Sequence, residues 1–411
     1  MQATIIAIGD ELLIGKVVNI NAAYIARKLN LIGIRVREAT VVGDNRQEIL
    51  QALERAHEQS KVVILTGGLG PTSDDITKPA LCEYFGSKLV FNPDVLEQIK
   101  VFLTKRRGIL NELNQSQAWV PDNCALLTNA IGTAPGMFFE KEGRCYFALP
   151  GVPFEMEKML DEQVIPILIE KFKLEHIYHR TILTTGVAES VLAETIANWE
   201  KSLPQEVKLA YLPSPGIVKI RLSVYHHPQG QEMIAQAEQQ LHAIIPEYIF
   251  GYDDDTLESV VGRLLLERGA TVSTAESCTG GNIALSIVSV AGASAYFKGG
   301  LIAYSNEVKI QELGVDPKIL ETHGAVSRQT AEAMALGCLK KFKTQFALAV
   351  TGIAGPDGGT PEKPVGTVWI AVATESKVIS NDFLFGDNRM RNIQRSTIAA
   401  LNLLRKAILD C

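Results

Sequence analysis

The residues able to do chemistry fall into two groups. The first is acidic and lies near the N-terminus. Asp10 and Glu11 follow the apolar run Thr4–Ile8, Asp44 follows Ile34–Val42, and Asp74 and Asp75 lie beyond Val62–Thr66 and the turn G-G-L-G. Carboxylates gathered on one rim repel unless a cation neutralises them, and Mg²⁺ takes oxygen ligands beside phosphate. Gly67, Gly68 and Gly70 allow close backbone approach, and a following helix N-terminus favours an anion. Glu11, Asp44 and Asp75 are therefore candidate ligands of a divalent metal at a phosphate or pyrophosphate site. The competing reading is helix capping, which suits Asp74. The dinucleotide fingerprint G-x-G-x-x-G is absent.

The second group lies in the last third. Cys278, in S-C-T-G-G, sits where a strand turns into a helix N-terminus, a setting that can lower a thiol pKa. No histidine base accompanies it, because His323 in H-G-A-V-S reads as a loop or cap residue. Ser294 follows a small glycine turn, with Tyr304 and Lys309 further along the chain. A serine needs a base, and a desolvated lysine can serve. Spacing alone does not bring these groups together. On the residues alone, a structural role for Ser294 and Lys309 stands first.

Alternating elements must position both groups. Thr4–Ile8, Ile34–Val42 and Val62–Thr66 read as strands separated by helices, the mark of parallel βαβ units whose ligands sit beyond the strand ends. Cys145–Leu149 is a further strand, and Phe154–Phe172 a helix. Residues 171–252 read as a small β-α-β-β-α linker, its hairpin turning at P-S-P-G, with no acid or histidine cluster beyond His226-His227. From 253 to 411 the pattern is again α/β: Thr256–Arg268 helical, Ala270–Thr274 a strand, Ile283–Val290 helical, Phe297–Ser305, Gln345–Thr351 and Val365–Ala373 strands, and Ile393–Leu409 a closing helix. The expected division is 1–170, 171–252 and 253–411.

The 411 residues are 46% hydrophobic and 21% charged, which excludes a disordered or collagen-like chain. Net charge is −6, and Lys105-Arg106-Arg107, the nearest approach to a basic stripe, reads as a solvated loop. Nucleic-acid binding is thus disfavoured. No run has the length of a membrane helix, and Asp10 interrupts the N-terminal apolar stretch too early for a signal peptide. The cysteines, at 82, 124, 145, 278, 338 and 411, show no C-x-x-C pair and read as free thiols. A cytoplasmic protein is the expectation, with a homodimer as the default assembly.

G-D-E-L at 9–12, G-G-L-G-P-T-S-D-D-I-T-K at 67–78 and L-P-G-V-P at 149–153 resemble the molybdopterin-binding fold, and more closely the N-terminal domain of the CinA (competence/damage-inducible) family. That resemblance implies metal-dependent ADP-ribose pyrophosphatase activity, with Glu11, Asp44 and Asp75 holding the metal. A-E-S-C-T-G-G, A-Y-S-N-E-V-K, H-G-A-V-S and T-G-I-A-G-P-D-G-G resemble the family's C-terminal domain, a nicotinamide mononucleotide amidohydrolase needing no metal. The resemblance implies Ser294 as nucleophile, Lys309 as base and Tyr304 assisting, and makes Cys278 a neighbour. It places Ser277, Thr279, Gly280, Gly281, Thr351 and Gly352 around the substrate. The family's G-D-R is replaced by G-D-N-R-M-R at 386–391, so Arg389 is favoured over Arg391 for the nucleotide phosphate.

The leading expectation is a pyridine-nucleotide salvage enzyme acting on nicotinamide mononucleotide and ADP-ribose. Two alternatives are a non-catalytic molybdopterin carrier, which would co-purify with a pterin, and a competence-related accessory protein, which would bind DNA in a salt-dependent way.

Overall fold

The computed structural model describes every residue except Ser73, Arg107, Glu175, His176, His226 and Cys411. His226, Arg107 and Cys411 from the sequence reading therefore lie outside the described residues. The chain forms two compact units, one of residues 1–177 with 225–227, the other of 178–224 with 228–411. Most of the expected linker block falls in the second unit.

In the first unit, β1 (Gln2–Ile8), β2 (Arg35–Val42) and β3 (Val62–Thr66) precede a short ribbon of β4 (Leu89–Phe91) and β5 (Trp119–Pro121). β6 (Ala125–Leu127), β7 (Gly136–Lys141) and β8 (Arg144–Leu149) complete a sheet of order β2-β1-β3-β8-β7-β6. Four neighbouring strands pair in parallel, as the alternating pattern predicts, but β7 pairs antiparallel with β8, and β6 antiparallel with β7. The reversal is local chemistry: Glu142 and Gly143 both take left-handed backbone (φ 51° and 70°), a turn that matches strand twist. β3 is buried along its whole length, which is why it is uniformly apolar. Ile25, Leu29 and Met156 cover one face of the sheet, and Ile49, Leu53 and Leu81 cover the other.

Asn19 and Asn45 start the helices Ile20–Leu31 and Arg46–Gln59 by accepting backbone N–H groups. The predicted helix 154–172 is Pro153–Met159 and Ile165–Phe172 joined by a π turn, Leu160–Val164. Pro166, with no N–H to return, falls at that widening. Lys105 ends the helix Pro93–Lys105, and Arg106 stacks over Phe102 at 4.8 Å, so these two basic residues stand at a helix terminus.

The second unit holds two sheets. β9 (Ile177–Thr185), β10 (Val207–Ser214), β11 (Ile217–Tyr225) and β12 (Ile249–Tyr252) form one of order β10-β11-β9-β12, covered by the helices Glu189–Ser202 and Gly230–Ile244. β12 is too short, at four residues, to show a period in sequence. β13 (Val272–Glu276), β14 (Phe297–Ile302), β15 (Phe346–Gly352), β16 (Thr367–Ala373) and β17 (Val378–Leu384) form the other, of order β14-β13-β15-β16-β17. Here β14, β13 and β15 pair in parallel, β16 pairs antiparallel with β15, and β17 antiparallel with β16.

The helices Leu257–Glu267 and Arg389–Leu409 pack on one face of this sheet, and Leu183 and Phe250 of the four-stranded sheet join the same core. Arg328–Phe342 packs on the other face, where Gly337 is required: a Cβ there would lie 1.8 Å from the Leu313 carbonyl oxygen.

Candidate functional site

β13 is the central parallel strand, flanked by β14 and β15, so its carboxyl end opens where ligands of such sheets bind. Ser277 is the first residue past that end. The turn after it is held by Glu276, whose buried carboxylate accepts the N–H groups of Gly281 (3.0 Å), Ile283 (3.0 Å) and Ala284 (2.8 Å). Gly280 and Gly281 take left-handed backbone, φ 60° and 98°, which a side chain would strain. The Ser277 amide donates to Val350 O at 3.0 Å, fixing the turn to β15. Among the described residues, the Cys278 and Thr279 amides donate to no protein acceptor. Glu276→Ala is expected to cost ~2–4 kcal/mol in denaturant unfolding, since three buried amides lose a charged acceptor.

Lys309 comes to this turn from the helix Asn306–Leu313, which Ser305 caps. Its side chain is 1% exposed. Nζ donates to Ser277 Oγ at 3.2 Å, Ala303 O at 2.8 Å and Tyr304 O at 3.0 Å. Burial pushes the Lys309 pKa down, against the opposing pull of Cys278 and Glu307. Two carbonyls hold two of its N–H bonds, so in the neutral amine the lone pair is directed at Ser277 Oγ. This is the arrangement of a serine with a lysine base.

Ser294 is elsewhere. It is exposed in the 3₁₀ turn Ala293–Ala295, which feeds the start of β14, where Phe297 pairs with Val272. Lys309 follows the other end, past Ile302. The six-residue strand separates them by roughly 17 Å at ~3.3 Å per residue. The expected pairing of Ser294 with Lys309 is therefore corrected: the lysine meets Ser277.

Cys278 is no better placed to attack. Its thiol is buried and pushed up to about 12, chiefly by desolvation, so its thiolate is scarce near neutral pH. Tyr304 contributes its carbonyl to Lys309, while its exposed hydroxyl accepts from Arg389 Nη2 at 3.1 Å. Arg389 Nη1 also donates to Gly355 O at 2.8 Å.

Ser277, Tyr304, Lys309, Thr351, Gly352 and Arg389 line one cavity of about 220 Å³. Thr351 spends its hydroxyl on Ala325 O (2.7 Å), and Thr279 Oγ1 is buried without a partner among the described residues. Arg391 is exposed, does not line the cavity, and serves the helix start through its amide, which donates to Asn388 Oδ1.

The acidic rim assembles differently from expectation. The Asp10 amide donates to Asp44 Oδ2 (3.0 Å) and the Asp44 amide to Asp10 Oδ1 (3.2 Å). Burial pushes the Asp44 carboxyl up; repulsion from Asp10, Glu11 and Asp74 adds to this, while the Asp10 amide opposes it. Asp75 spends both oxygens within its own loop, accepting from the Gly70 amide (2.7 Å) and from the Thr72 amide and hydroxyl (2.9 and 2.6 Å). Gly67 and Gly68 are demanded by packing, because Cβ atoms there would meet Ile8 O at 2.1 Å and Thr77 Oγ1 at 2.2 Å.

Among the described residues no three His, Cys, Asp or Glu side chains are grouped to hold a metal ion. Glu11, Asp44 and Asp75 thus do not fit a single metal cage as they stand. All five described cysteines are free thiols. Among the described residues no helix is long and apolar enough to cross a membrane.

Comparison with known proteins matches residues 254–408 to "CinA C-terminal domain", residues 4–170 to "Probable molybdopterin binding domain" and residues 179–251 to "Damage-inducible protein CinA KH domain". A CinA-like protein of Cytophaga hutchinsonii is 47% identical over 99% of this chain and 98% of its own length. A CinA-like protein of Flavobacterium psychrophilum is 47% identical over 100% of this chain and 99% of its own. The crystal structure of competence/damage inducible protein CihA from Agrobacterium tumefaciens is 42% identical, covers 37% of this chain and 95% of that one, and has a TM-score of 0.36. With full-length relatives this similar, the chain belongs to the CinA family.

Proposed function

We propose that the C-terminal domain hydrolyses the carboxamide of nicotinamide mononucleotide, giving nicotinate mononucleotide and ammonia. The observation that carries the amide chemistry is Lys309 Nζ at 3.2 Å from Ser277 Oγ, buried and braced by two carbonyls. The substrate follows from the family resemblance.

In this reading Ser277 Oγ attacks the carboxamide carbon while Lys309 accepts its proton. The oxyanion takes hydrogen bonds from the Cys278 and Thr279 amides, each donor of this kind being worth ~10²–10³ in rate. Lys309 returns the proton to the departing ammonia, leaving an ester on Ser277. Water, deprotonated by the same amine, cleaves that ester and frees the carboxylate. Arg389, anchored by Gly355 O and the Tyr304 hydroxyl, offers its guanidinium to the nucleotide phosphate.

The test is ammonia release from nicotinamide mononucleotide by the full chain. Cys278→Ala and Ser294→Ala should both retain within about threefold of wild-type kcat, since neither side chain reaches the amine's lone pair. No ammonia from the wild type would overturn the substrate. A dead Cys278→Ala with a folded protein would overturn the nucleophile. Metal-dependent ADP-ribose hydrolysis by the N-terminal domain is a further proposal, supported by resemblance alone.

A further inference from the structure

Inside the second unit, a cavity of about 650 Å³ lies between the four-stranded sheet and the helix Arg389–Leu409. Small-molecule sites span ~300–1,000 Å³. Phe383 and Phe385 form an aromatic platform on one wall, their rings 12° from parallel with centroids 5.5 Å apart. Arg395, Asn402 and Lys406 face the same cavity, at spacings of seven and four that keep them on one side of the helix. Arg395 and Lys406 are half-buried, and among the described residues their side chains form no hydrogen bond or ion pair.

Asn402 supplies an independent sign. It is only 8% exposed, and its Oδ1 accepts from Arg405 Nε at 3.1 Å. Its Nδ2 has no protein acceptor among the described residues and lies beside Gly186, where a Cβ would be 3.3 Å away. On this largely buried residue the amide nitrogen reaches the cavity and is free to donate to an occupant. Opposite it, the helix Glu189–Ser202 begins at Ala188 with no side-chain cap, and its unpaired amides favour an anion. Glu189, the one carboxylate among the described residues lining the cavity, suits a sugar hydroxyl or an exocyclic amine.

We propose that this cavity binds an aromatic nucleotide anion, its ring against Phe383 and Phe385 and its phosphate drawn by Arg395, Lys406 and the uncapped helix. The site is separate from the Ser277 cavity, and the proposal does not rest on amide hydrolysis. Phe385 precedes Arg389 by four residues, so an occupant would sit against the segment that carries that arginine.

Titration calorimetry of the full chain with adenosine 5′-monophosphate tests it. Saturable binding is expected, weakened ~10-fold or more in the Arg395→Ala/Lys406→Ala variant and unchanged in Arg389→Ala. A thermal midpoint near wild type shows that the double variant is folded; Lys406→Glu provides a second, single change with the same expected direction. Failure to saturate at millimolar nucleotide, equal binding by both variants, or loss in Arg389→Ala alone would each overturn the proposal. Inorganic phosphate binding as tightly as the nucleotide would overturn its aromatic half.

Discussion

Ser277→Ala is expected to lower kcat for ammonia release by on the order of 10³–10⁶, the range in which hydrolases lose rate when the nucleophile is removed. The argument is geometric. Ser277 Oγ is the hydroxyl within hydrogen-bond reach of the buried amine of Lys309, and its backbone is locked by Val350 O and by the turn that Glu276 organises. Removing one oxygen deletes the attacking atom and leaves the cavity walls in place, so substrate affinity should stay within a few-fold. Calorimetry with nicotinamide mononucleotide reads the affinity, and steady-state ammonia release reads kcat. A Ser277→Ala enzyme that turned over at the wild-type rate would remove the acyl-enzyme mechanism altogether.

The second large effect belongs to Lys309. Lys309→Met keeps the length and removes the base, and kcat is expected to fall by at least ~10²-fold, the lower range for general base catalysis. Lys309→Arg should be as impaired, because a guanidinium stays charged and accepts no proton. The wild-type pH profile gives the sharper readout. Burial disfavours the ammonium and pushes its pKa down, so the neutral amine is populated at lower pH than in an exposed lysine. Below that pKa the rate should rise ~tenfold per pH unit and then level off.

The same shift carries a stability sign. In the window between the folded and unfolded pKa values the unfolded chain binds more protons at Lys309, so stability rises with pH there. Lys309→Met should lack that rise. A flat rate profile in the wild type would contradict the role of the amine as base.

Much of this frame is legible from local pattern. β1 and β3 read as strands because both faces are covered, and both asparagine caps mark helix starts. Less legible were the helix Asn306–Leu313, which buries Lys309 beside Leu313, the helix Arg328–Phe342, which buries Thr330 with Ala331 and Ala335, and β17, an edge strand with polar positions. Their periodicity is weak because their packing is supplied by neighbours. β12 is simply too short.

For the site, E-S-C-T-G-G marked the right turn, and Ser277 was within it, one residue before the more conspicuous thiol. Residue type drew attention to Cys278, whereas burial makes its thiolate costly. Glu276 has no signal as a turn anchor, since a carboxylate five to eight residues before three amides is invisible until the chain folds back.

What the amino-acid order alone determined was the set of parts: parallel α/β segments, glycine turns at strand ends, a lysine after A-Y-S-N-E-V, and acids beyond three strands. Which parts meet was decided only by the tertiary structure. A parallel sheet separates the two ends of every strand, so Ser294 and Lys309, close in sequence, stand at opposite ends of β14. The same crossover brings Lys309 to Ser277, thirty-two residues away, and the sheet's covering supplies the desolvation that lowers an amine's pKa. Asp75 shows the converse: its place in a rim of acids was plain, yet its loop folds onto it and takes both oxygens. Spacing along a chain orders the groups, but hydrogen bonding and burial are properties of contacts, and contacts exist only once the sheet has formed.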